Sequence, residues 1–233
     1  MIIRRMYSEL PYEVKAQVLQ LVADNVAALS SECIGADSPM FGVVHARTHE
    51  RVGHTLTIVG YPPRDVMGAR AEIIIAIDED AGNGRLAGFL LYKTRAGSPS
   101  GCSISYAATR EEYRRQGVLR SMMDELASHF SSIGLSCRIE TVPVYERLGF
   151  YVVKPEGTLV AMENAQLPGS GWDMGNEYYE ATKSVQRAKA ALRKTFGKNT
   201  RLEWAKFDAV QKQEAQRVLE YVQHRLESMP EQA

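Results

Sequence analysis

The spacing of hydrophobic positions changes along the chain, and the changes predict a mixed α/β protein. Residues 72–78 and 86–94 are apolar runs rich in β-branched and aromatic side chains, and residues 102–109 alternate between apolar and small polar positions. These patterns are typical of strands in one sheet. The connection at 79–85 contains Gly82-Asn83-Gly84, which predicts a hairpin, and residues 1–6 are a candidate first strand.

Apolar residues spaced three or four apart predict helices in two places. One helix follows Pro11 and carries Val14, Val18, Leu21, Val22, Val26 and Leu29 on one face. The other carries Leu119, Met122, Met123, Leu126, Phe130 and Ile133, and Gly134 is its predicted C-terminal cap. Residues 32–70 hold several glycines and prolines, so we expect a long connection with a strand at 55–59 and room for a second short helix.

In the rest of the first 165 residues, the same patterns predict a strand at 136–141, a short helix at 144–148 and strands at 150–153 and 158–162. Residues 166–171 have the composition of a linker. Two amphipathic helices follow, at 177–196 and 202–228, and their apolar stripes must be buried. We therefore expect an α/β domain over 1–165 and a helical extension over 166–233. The stripes could cover the sheet of the same chain or pair two chains in a homodimer.

Composition and charge narrow the function classes. The 233 residues are 45% hydrophobic and 24% charged, with 28 basic and 28 acidic side chains. A neutral chain has no global field to attract nucleic acid, and no apolar run is long enough to cross a membrane. Three cysteines without a Cys-x-x-Cys pair argue against disulfides and structural zinc, so we expect a cytoplasmic protein. His45 and His49 lack a carboxylate constellation around them, and we expect no metal.

The stretch from Ser105 to Leu119 is the part of the sequence most indicative of chemistry. A predicted strand is followed by a turn that contains Arg114, Arg115 and Gly117, and this turn leads directly into a helix N-terminus. Free backbone N–H groups, the positive end of the helix dipole and a nearby guanidinium together suit a phosphate or pyrophosphate. The glycine would allow the ligand to approach the backbone closely.

A second motif, Val144-Tyr145-Glu-Arg-Leu-Gly149-Phe150, follows the next helix and strand. The sequence thus contains, in order, a hairpin, a strand, Arg-x-x-Gly, a helix, a strand and this motif. This order resembles that of the GNAT superfamily of acyl-CoA-dependent N-acetyltransferases. The resemblance covers about residues 1–163. It departs at Leu119, where the family's phosphate loop has a glycine or alanine.

The resemblance implies a mixed sheet flanked by helices, whose fourth and fifth strands, here 102–109 and 136–141, splay apart. The pantetheine arm of acetyl-CoA would insert between them and hydrogen-bond to the strand at Tyr106, Ala107 and Ala108. The pyrophosphate would be held by Arg114 and the loop that follows it. The residues of that loop are Arg115, Gln116, Gly117, Val118 and Leu119.

The resemblance also implies catalytic roles. Tyr145 matches the tyrosine that protonates the departing CoA thiolate in family members, although a tyrosine packed in the core is the other interpretation. An amine must lose a proton before it attacks a thioester, yet residues 102–109 contain no carboxylate. Glu140 is the candidate base by position, ahead of Glu111, Glu112 and Asp78, and a water chain is an alternative.

Two functions from different classes follow. The first is an N-acetyltransferase that moves an acetyl group from acetyl-CoA to a small-molecule or protein amine by direct transfer in a ternary complex. The second is a non-catalytic acyl-CoA-binding or protein-interaction module that uses the helical tail, since the strand carboxylate is missing. The neutral net charge disfavours a nucleic-acid partner.

Overall fold

The computed structural model describes residues 1–61, 69–81, 84–173 and 175–228. Seven strands form one sheet in the order β1-β2-β3-β4-β5-β7-β6. The strands are β1 (Ile2–Met6), β2 (Ala71–Asp78), β3 (Arg85–Thr94), β4 (Gly101–Thr109), β5 (Ser132–Cys137), β6 (Tyr151–Glu156) and β7 (Leu159–Glu163). The hairpin between β2 and β3 is confirmed, although Gly82 and Asn83 of its predicted turn lie outside the described residues.

Eight helices accompany the sheet in the described parts of the chain. They are α1 (Tyr12–Asp24), α2 (Val26–Leu29), α3 (Phe41–Thr57), α4 (Val118–Ala127), α5 (Val142–Glu146), α6 (Asn176–Glu180), α7 (Lys183–Phe196) and α8 (Thr200–Glu227). Within these residues no helix has the length and apolar character needed to cross a membrane.

The sheet opens between β4 and β5. These two strands are parallel, and their pairing stops after Ser103 and Gly134, whereas the neighbouring pairs β3–β4 and β5–β7 are antiparallel and longer. The remaining residues of β4, from Ile104 onward, therefore have backbone groups without a partner in β5. An extended ligand can bind to such an edge by adding to the strand. The splayed sheet implied by the resemblance is confirmed.

An irregularity in β4 lies at the start of this opening. Leu91 of β3 pairs with Tyr106 and Tyr92 pairs with Ile104, so Ser105 is an extra residue in the ladder. A bulge of this kind bends the strand and redirects the side chains around it. Here the bend lies where β4 begins to separate from β5.

The two faces of the sheet are covered by different helices. On one face α1 and α3 contribute Val18, Leu21, Val52 and Leu56 to a core with Ile73, Ile75, Phe89 and Leu91. On the other face α4 and α8 contribute Met122, Leu126, Val218 and Val222 to a core with Ile74, Leu90 and Ile104. The gap between β4 and β5 is open to both layers, since Tyr106 packs toward the first core and Tyr145 toward the second.

The helix α3 replaces the long connection and the strand that we predicted at 55–59. Its buried positions, Val43, Val44, Thr48, Val52, Thr55 and Leu56, have helical spacing. Two of them are threonines, and Thr55 satisfies its hydroxyl by donating to the carbonyl of Arg51 at 2.8 Å. The inward stripe is therefore partly polar, and a count of apolar residues does not detect it.

The boundary between α4 and β5 also differs from the prediction. The helix ends at Ala127, and Gly134 lies within β5 rather than at a helix cap. A Cβ atom at Gly134 would lie 2.4 Å from the side chain of Leu167, so this glycine allows a close approach. The strand predicted at 136–141 is therefore wrong in its bounds: β5 ends at Cys137, and Ile139–Thr141 is a 3₁₀ turn.

The C-terminal helices pack on the same chain. Leu192 of α7 and Phe207 of α8 share a core with Met40, Val43 and Val44 at the start of α3. Val218 and Val222 of α8 are buried against the sheet. Part of each apolar stripe of the extension thus has an intramolecular partner, whereas Leu202, Val210 and Leu226 of α8 are exposed. The homodimer stays a prediction.

Candidate active site

The loop between β4 and α4 has the geometry of an anion site. Gly117 is the residue before α4 and has φ +80°, and Arg115 has φ +63°, the one positive value among the described non-glycine residues. No side chain caps the helix, so the first N–H groups of α4 are available to a ligand. Left-handed residues at such a turn direct successive N–H groups to one side, which favours an anion.

A cavity of about 900 Å³ extends from this loop through the gap between β4 and β5. Most of the residues predicted to bind cofactor line it: Tyr106, Ala107, Ala108, Arg114, Arg115, Gly117, Val118 and Leu119. Gln116 does not line the cavity, because its side chain points back and donates to the carbonyl of Glu112 at 2.6 Å. Leu119, the departure from the family pattern, packs partly against the core.

The side chain of Arg114 is held in place by hydrogen bonds to two residues that line the cavity. Its Nη2 donates to Oδ1 of Asn25 at 2.8 Å, and its Nε donates to the carbonyl of Thr109 at 3.3 Å. Asn25 lies at the junction of α1 and α2. The guanidinium is therefore held beside the free N-terminus of α4, where it adds a full positive charge to the helix dipole.

Tyr145 lies on α5 and lines the same cavity. Its ring packs edge-on against Phe150, with 6.0 Å between the ring centroids. Burial, with a smaller contribution from Cys137, raises the pKa of Tyr145 to about 12. The phenol is therefore protonated at neutral pH and can act as a hydrogen-bond or proton donor.

Glu140 does not meet the requirements of the base that we predicted. It lies in the 3₁₀ turn after β5, does not line the cavity, and forms an ion pair with Arg217 of α8 at 2.7 Å. The hydrogen bond from Arg217 holds the pKa of Glu140 below its usual value. A carboxylate outside the cavity that is stabilised in its charged form cannot take a proton from an amine inside it, so we do not retain this role.

Asp173 and Glu156 are the acidic side chains among the described residues that line the cavity. Asp173 precedes α6 and accepts a bond from Nζ of Lys93 at 2.6 Å, while Glu156 of β6 accepts a bond from the hydroxyl of Ser136. Neither belongs to the motifs that identified the site in the sequence. Both reach the cavity from β-strand and loop positions that are distant from β4 in the chain.

A group of residues from α3, β4 and α6 lines the part of the cavity on the α1–α3 face. Arg51, Tyr106 and Tyr179 lie together there. The guanidinium carbon of Arg51 is 5.5 Å from the centroid of the Tyr179 ring. Burial raises the pKa of Tyr106 to about 12, and the neighbouring Arg51 opposes part of that effect. Sequence reasoning missed Arg51 and Tyr179, because no local motif contains them.

The cysteines and histidines do not form a reactive centre. Cys137 lines the cavity, but burial raises the pKa of its thiol to about 11, which leaves little thiolate at neutral pH. The His45 and His49 rings stack 6.1 Å apart on α3. Within the described ranges no group of three His, Cys, Asp or Glu side chains could hold a metal ion.

Comparison with protein families finds a match over part of the chain. Residues 47–150 match the model of the acetyltransferase (GNAT) family, and the match includes β4, the phosphate loop and the Tyr145 motif. This stretch therefore matches a GNAT acetyltransferase domain, in agreement with the resemblance carried by the sequence motifs. A comparison with curated proteins found no match.

Solved structures similar to this chain include acetyltransferases. An aminoglycoside 6'-N-acetyltransferase complexed with coenzyme A is 15% identical and covers 72% of this chain and 99% of its own, with a TM-score of 0.49. Ard1 from Thermoplasma volcanium is 15% identical, covers 70% of this chain and 95% of its own, and has a TM-score of 0.46. For nourseothricin acetyltransferase the identity is 18%, the coverage 40% and 64%, and the TM-score 0.35.

Proposed function

We propose that this enzyme transfers an acetyl group from acetyl-CoA to an amine by direct attack in a ternary complex. The observation that carries the proposal is the single cavity that joins the anion-binding loop, the gap between β4 and β5, and Tyr145. The donor and the acceptor can enter it from opposite faces of the sheet. A covalent acetyl-enzyme is not needed.

The cofactor would bind at the end of the cavity near α4. Arg114 and the N–H groups at the start of α4 would hold the pyrophosphate through charge-assisted hydrogen bonds. The pantetheine arm would then follow the unpaired edge of β4 along Tyr106, Ala107 and Ala108. Bound acetyl-CoA would supply the activated thioester, and the protein would orient this thioester.

The bulge at Ser105 lies where the thioester would reach the gap between the strands. In the reaction the amine nitrogen bonds to the carbonyl carbon, and negative charge develops on the carbonyl oxygen. An unpaired backbone N–H of β4 near the bulge is suited to stabilise that charge, because it is held in place before the reaction begins. The bulge thus positions the thioester for attack from the α1–α3 face.

Tyr145 would assist the departure of coenzyme A. As the C–S bond breaks, the sulfur takes the electron pair, and the Tyr145 hydroxyl donates its proton to it. The raised pKa keeps the hydroxyl protonated until that moment. One proton of the incoming ammonium leaves to solvent water through the cavity mouth, since Asp173 is engaged by Lys93 and Glu140 lies outside. The second proton leaves the nitrogen as the amide forms and restores the Tyr145 hydroxyl through water.

A non-catalytic acyl-CoA-binding module is the second candidate function. One observation favours it: β4, from Gly101 to Thr109, carries no carboxylate toward the cavity. Such a protein would bind acetyl-CoA and would not release free thiol with any amine. Transfer to any member of an amine panel contradicts this alternative.

The first test is thermal unfolding of the full chain with acetyl-CoA, with ADP as a control. A ligand at 100 times its Kd adds about 2.7 kcal/mol, which for a chain of this size raises Tm by roughly 5–10 °C. We expect this rise with acetyl-CoA and a smaller one with ADP. Release of CoA thiol in the presence of amines then tests transfer. No rise at millimolar acetyl-CoA would overturn the proposed function.

A further inference from the structure

We propose that α8 positions Tyr145 for proton transfer to the departing thiolate, and that Arg225 does so through its ion pair with Glu146. The inference rests on the proposed function, because it concerns how the proton donor of that reaction is held. It gives the C-terminal extension a role in the chemistry. The family match ends at residue 150, and α8 lies beyond it in the chain.

The helix that carries Tyr145 is too short to fix its own orientation. This helix, α5, has five residues and no side-chain cap. Because a single helical turn is unstable by itself, contacts with other elements decide how α5 is oriented. A proton donor must lie within hydrogen-bond reach of the leaving sulfur, so a small shift or rotation of α5 would slow the reaction.

Two ion pairs join α8 to the segment 140–146, one near each end of that segment. Arg217 donates to Glu140 at 2.7 Å in the turn before α5, and Arg225 donates to Glu146, the last residue of α5. The two arginines lie on the same helix, about 12 Å apart along its axis. One helix therefore holds both ends of the segment that carries Tyr145.

The position of Glu146 directly after Tyr145 makes its ion pair suited to orienting the tyrosine. Consecutive side chains on a helix point about 100° apart. Tyr145 lines the cavity, whereas Glu146 does not line it and instead accepts a bond from Arg225. An ion pair on the side of α5 that faces α8 fixes the rotation of the short helix about its axis. It thereby fixes the direction of the Tyr145 ring.

Apolar packing, rather than the ion pairs, attaches α8 to the sheet. Val218 and Val222 are buried in the core against which Tyr145 also packs. Arg225 and Glu146 are less buried, with 41% and 31% of their side chains exposed. An ion pair this exposed contributes little to stability. Its loss should therefore change the orientation of α5 without detaching α8.

The first test replaces Arg225 in the full chain. Arg225→Met keeps an apolar stem and removes the charge, so we expect kcat for acetyl transfer to fall by about 10-fold. KM for acetyl-CoA and for the amine should change by less than about 2-fold. The Tm should change by about 2 °C or less. Arg225→Lys should recover most of kcat, since an ammonium group can also pair with Glu146.

Two variants serve as controls. Lys206 forms an exposed ion pair with Glu203 within α8 and does not line the cavity, so Lys206→Met removes a comparable pair from the same helix. Arg187→Ala removes an exposed arginine of α7 that also lies outside the cavity lining. Both should leave kcat unchanged. Equal losses in Lys206→Met and Arg225→Met would show a general weakening of α8 and would overturn the positioning role.

A double-mutant cycle tests whether Arg225 acts through Tyr145. In the Tyr145→Phe background the proton donor is already absent, so Arg225→Met should lower kcat by less than about 2-fold further. A purely structural role predicts the same 10-fold loss in both backgrounds. Additive losses would therefore mean that Arg225 affects the reaction by another route.

The ring of Tyr145 provides a readout that needs no turnover. In NMR spectra of the chain with isotope-labelled tyrosine, the signal that is lost in Tyr145→Phe identifies this residue. Arg225→Met should shift or broaden the signal, and Lys206→Met should leave it in place. An unchanged signal, or an unchanged kcat, overturns the positioning role and leaves acetyl transfer standing. Absence of an acetyl-CoA-dependent rise in the Tm of the wild-type protein overturns the proposed function itself.

Discussion

The two ends of the cavity are built in different ways. The cofactor end comes from one continuous stretch, in which β4 leads through Arg114 and Gly117 into α4. The opposite end, which we call the acceptor end because the acetyl acceptor is proposed to enter there, takes Arg51 from α3, Arg138 from the turn after β5 and Tyr179 from α6. The first is fixed by local backbone geometry, whereas the second exists only when distant elements have packed together.

Long-range contacts hold the acceptor end in place. Arg47 of α3 pairs with both Glu32 and Glu180, and Lys189 of α7 pairs with Glu180 as well. Arg51 is bonded to Asn176 at the start of α6. The C-terminal extension is therefore part of the cavity wall. We therefore expect that variants can alter cofactor recognition and acceptor recognition separately.

The largest effect should come from Tyr145, which lies between the two ends. Tyr145→Phe removes the proton donor and keeps the ring that packs on Phe150, so we expect kcat to fall by about 100-fold or more. KM for acetyl-CoA should change little, because the hydroxyl acts as the C–S bond breaks. Steady-state kinetics with a thiol reagent measures both. Tyr151→Phe, at an exposed position of β6, is the matched control, and equal losses in the two variants would refute the assignment.

A second variant should affect the cofactor end alone. Arg114→Ala removes a guanidinium that is already held beside α4 by Asn25, so we expect the Kd for acetyl-CoA to rise by about 10-fold or more. Acceptor KM at saturating acetyl-CoA should stay the same. Calorimetry with acetyl-CoA gives the Kd, and Arg187→Ala provides the comparison. An unchanged Kd would remove Arg114 from the phosphate site.

The features of the cofactor end could be predicted from the sequence, and those of the acceptor end could not. The strands of the hairpin and β4, the loop before α4 and the position of Tyr145 rest on local signals, namely strand alternation, a glycine before a helix and the Tyr145–Phe150 motif, whereas the splay of the sheet rests on the family resemblance. Gln116 was included because it lies within the loop, yet its side chain points away from the cavity. Local sequence gives the path of the backbone there and does not give the direction of each side chain.

The acceptor end could not be predicted, because its residues share no segment. The polar character of the inward face of α3, including Thr48 and Thr55, hid the helix that carries Arg51. Glu140 was chosen by its place in a strand that ends four residues earlier than expected, at Cys137. Tyr179 enters the cavity through packing of the extension on α3, which no periodicity within 166–233 reveals.

A smaller effect is expected from a variant that tests whether the backbone conformation of Gly117 contributes to cofactor binding. Gly117 and Gly157 both have positive φ, and a Cβ atom at either would meet nothing within 4 Å. Changing either residue to alanine should therefore cost about 1–2 kcal/mol of stability through backbone strain alone. Only Gly117→Ala should also weaken acetyl-CoA binding, by a few-fold. Equal Kd values for the two variants would show that the conformation of Gly117 is not used in binding.

The smallest effect concerns the ion pairs of the acceptor end. Burial opposes ionisation of Glu180, but Lys189 and Arg47 outweigh it and hold its pKa below the ordinary value. A depressed pKa in the folded state gives stability that is complete above the unfolded pKa, near 4.3, and is lost as the pH falls through the folded pKa. Since Glu180 is 29% exposed, we expect Glu180→Gln to cost only about 1 kcal/mol at pH 7, or roughly 2–4 °C in Tm.

The difference in Tm between the wild-type protein and Glu180→Gln should therefore shrink as the pH falls through the lowered pKa of Glu180, below which both side chains are neutral. Glu177→Gln, an exposed position on the same helix, should show no such pH dependence. At pH 7 the Glu180 variant should also raise acceptor KM by a few-fold and leave the Kd for acetyl-CoA unchanged, because the loosened contacts border Tyr179 and not the phosphate loop. A parallel loss at both ends would mean that the two halves of the cavity are energetically coupled and that their separate construction does not make them independent.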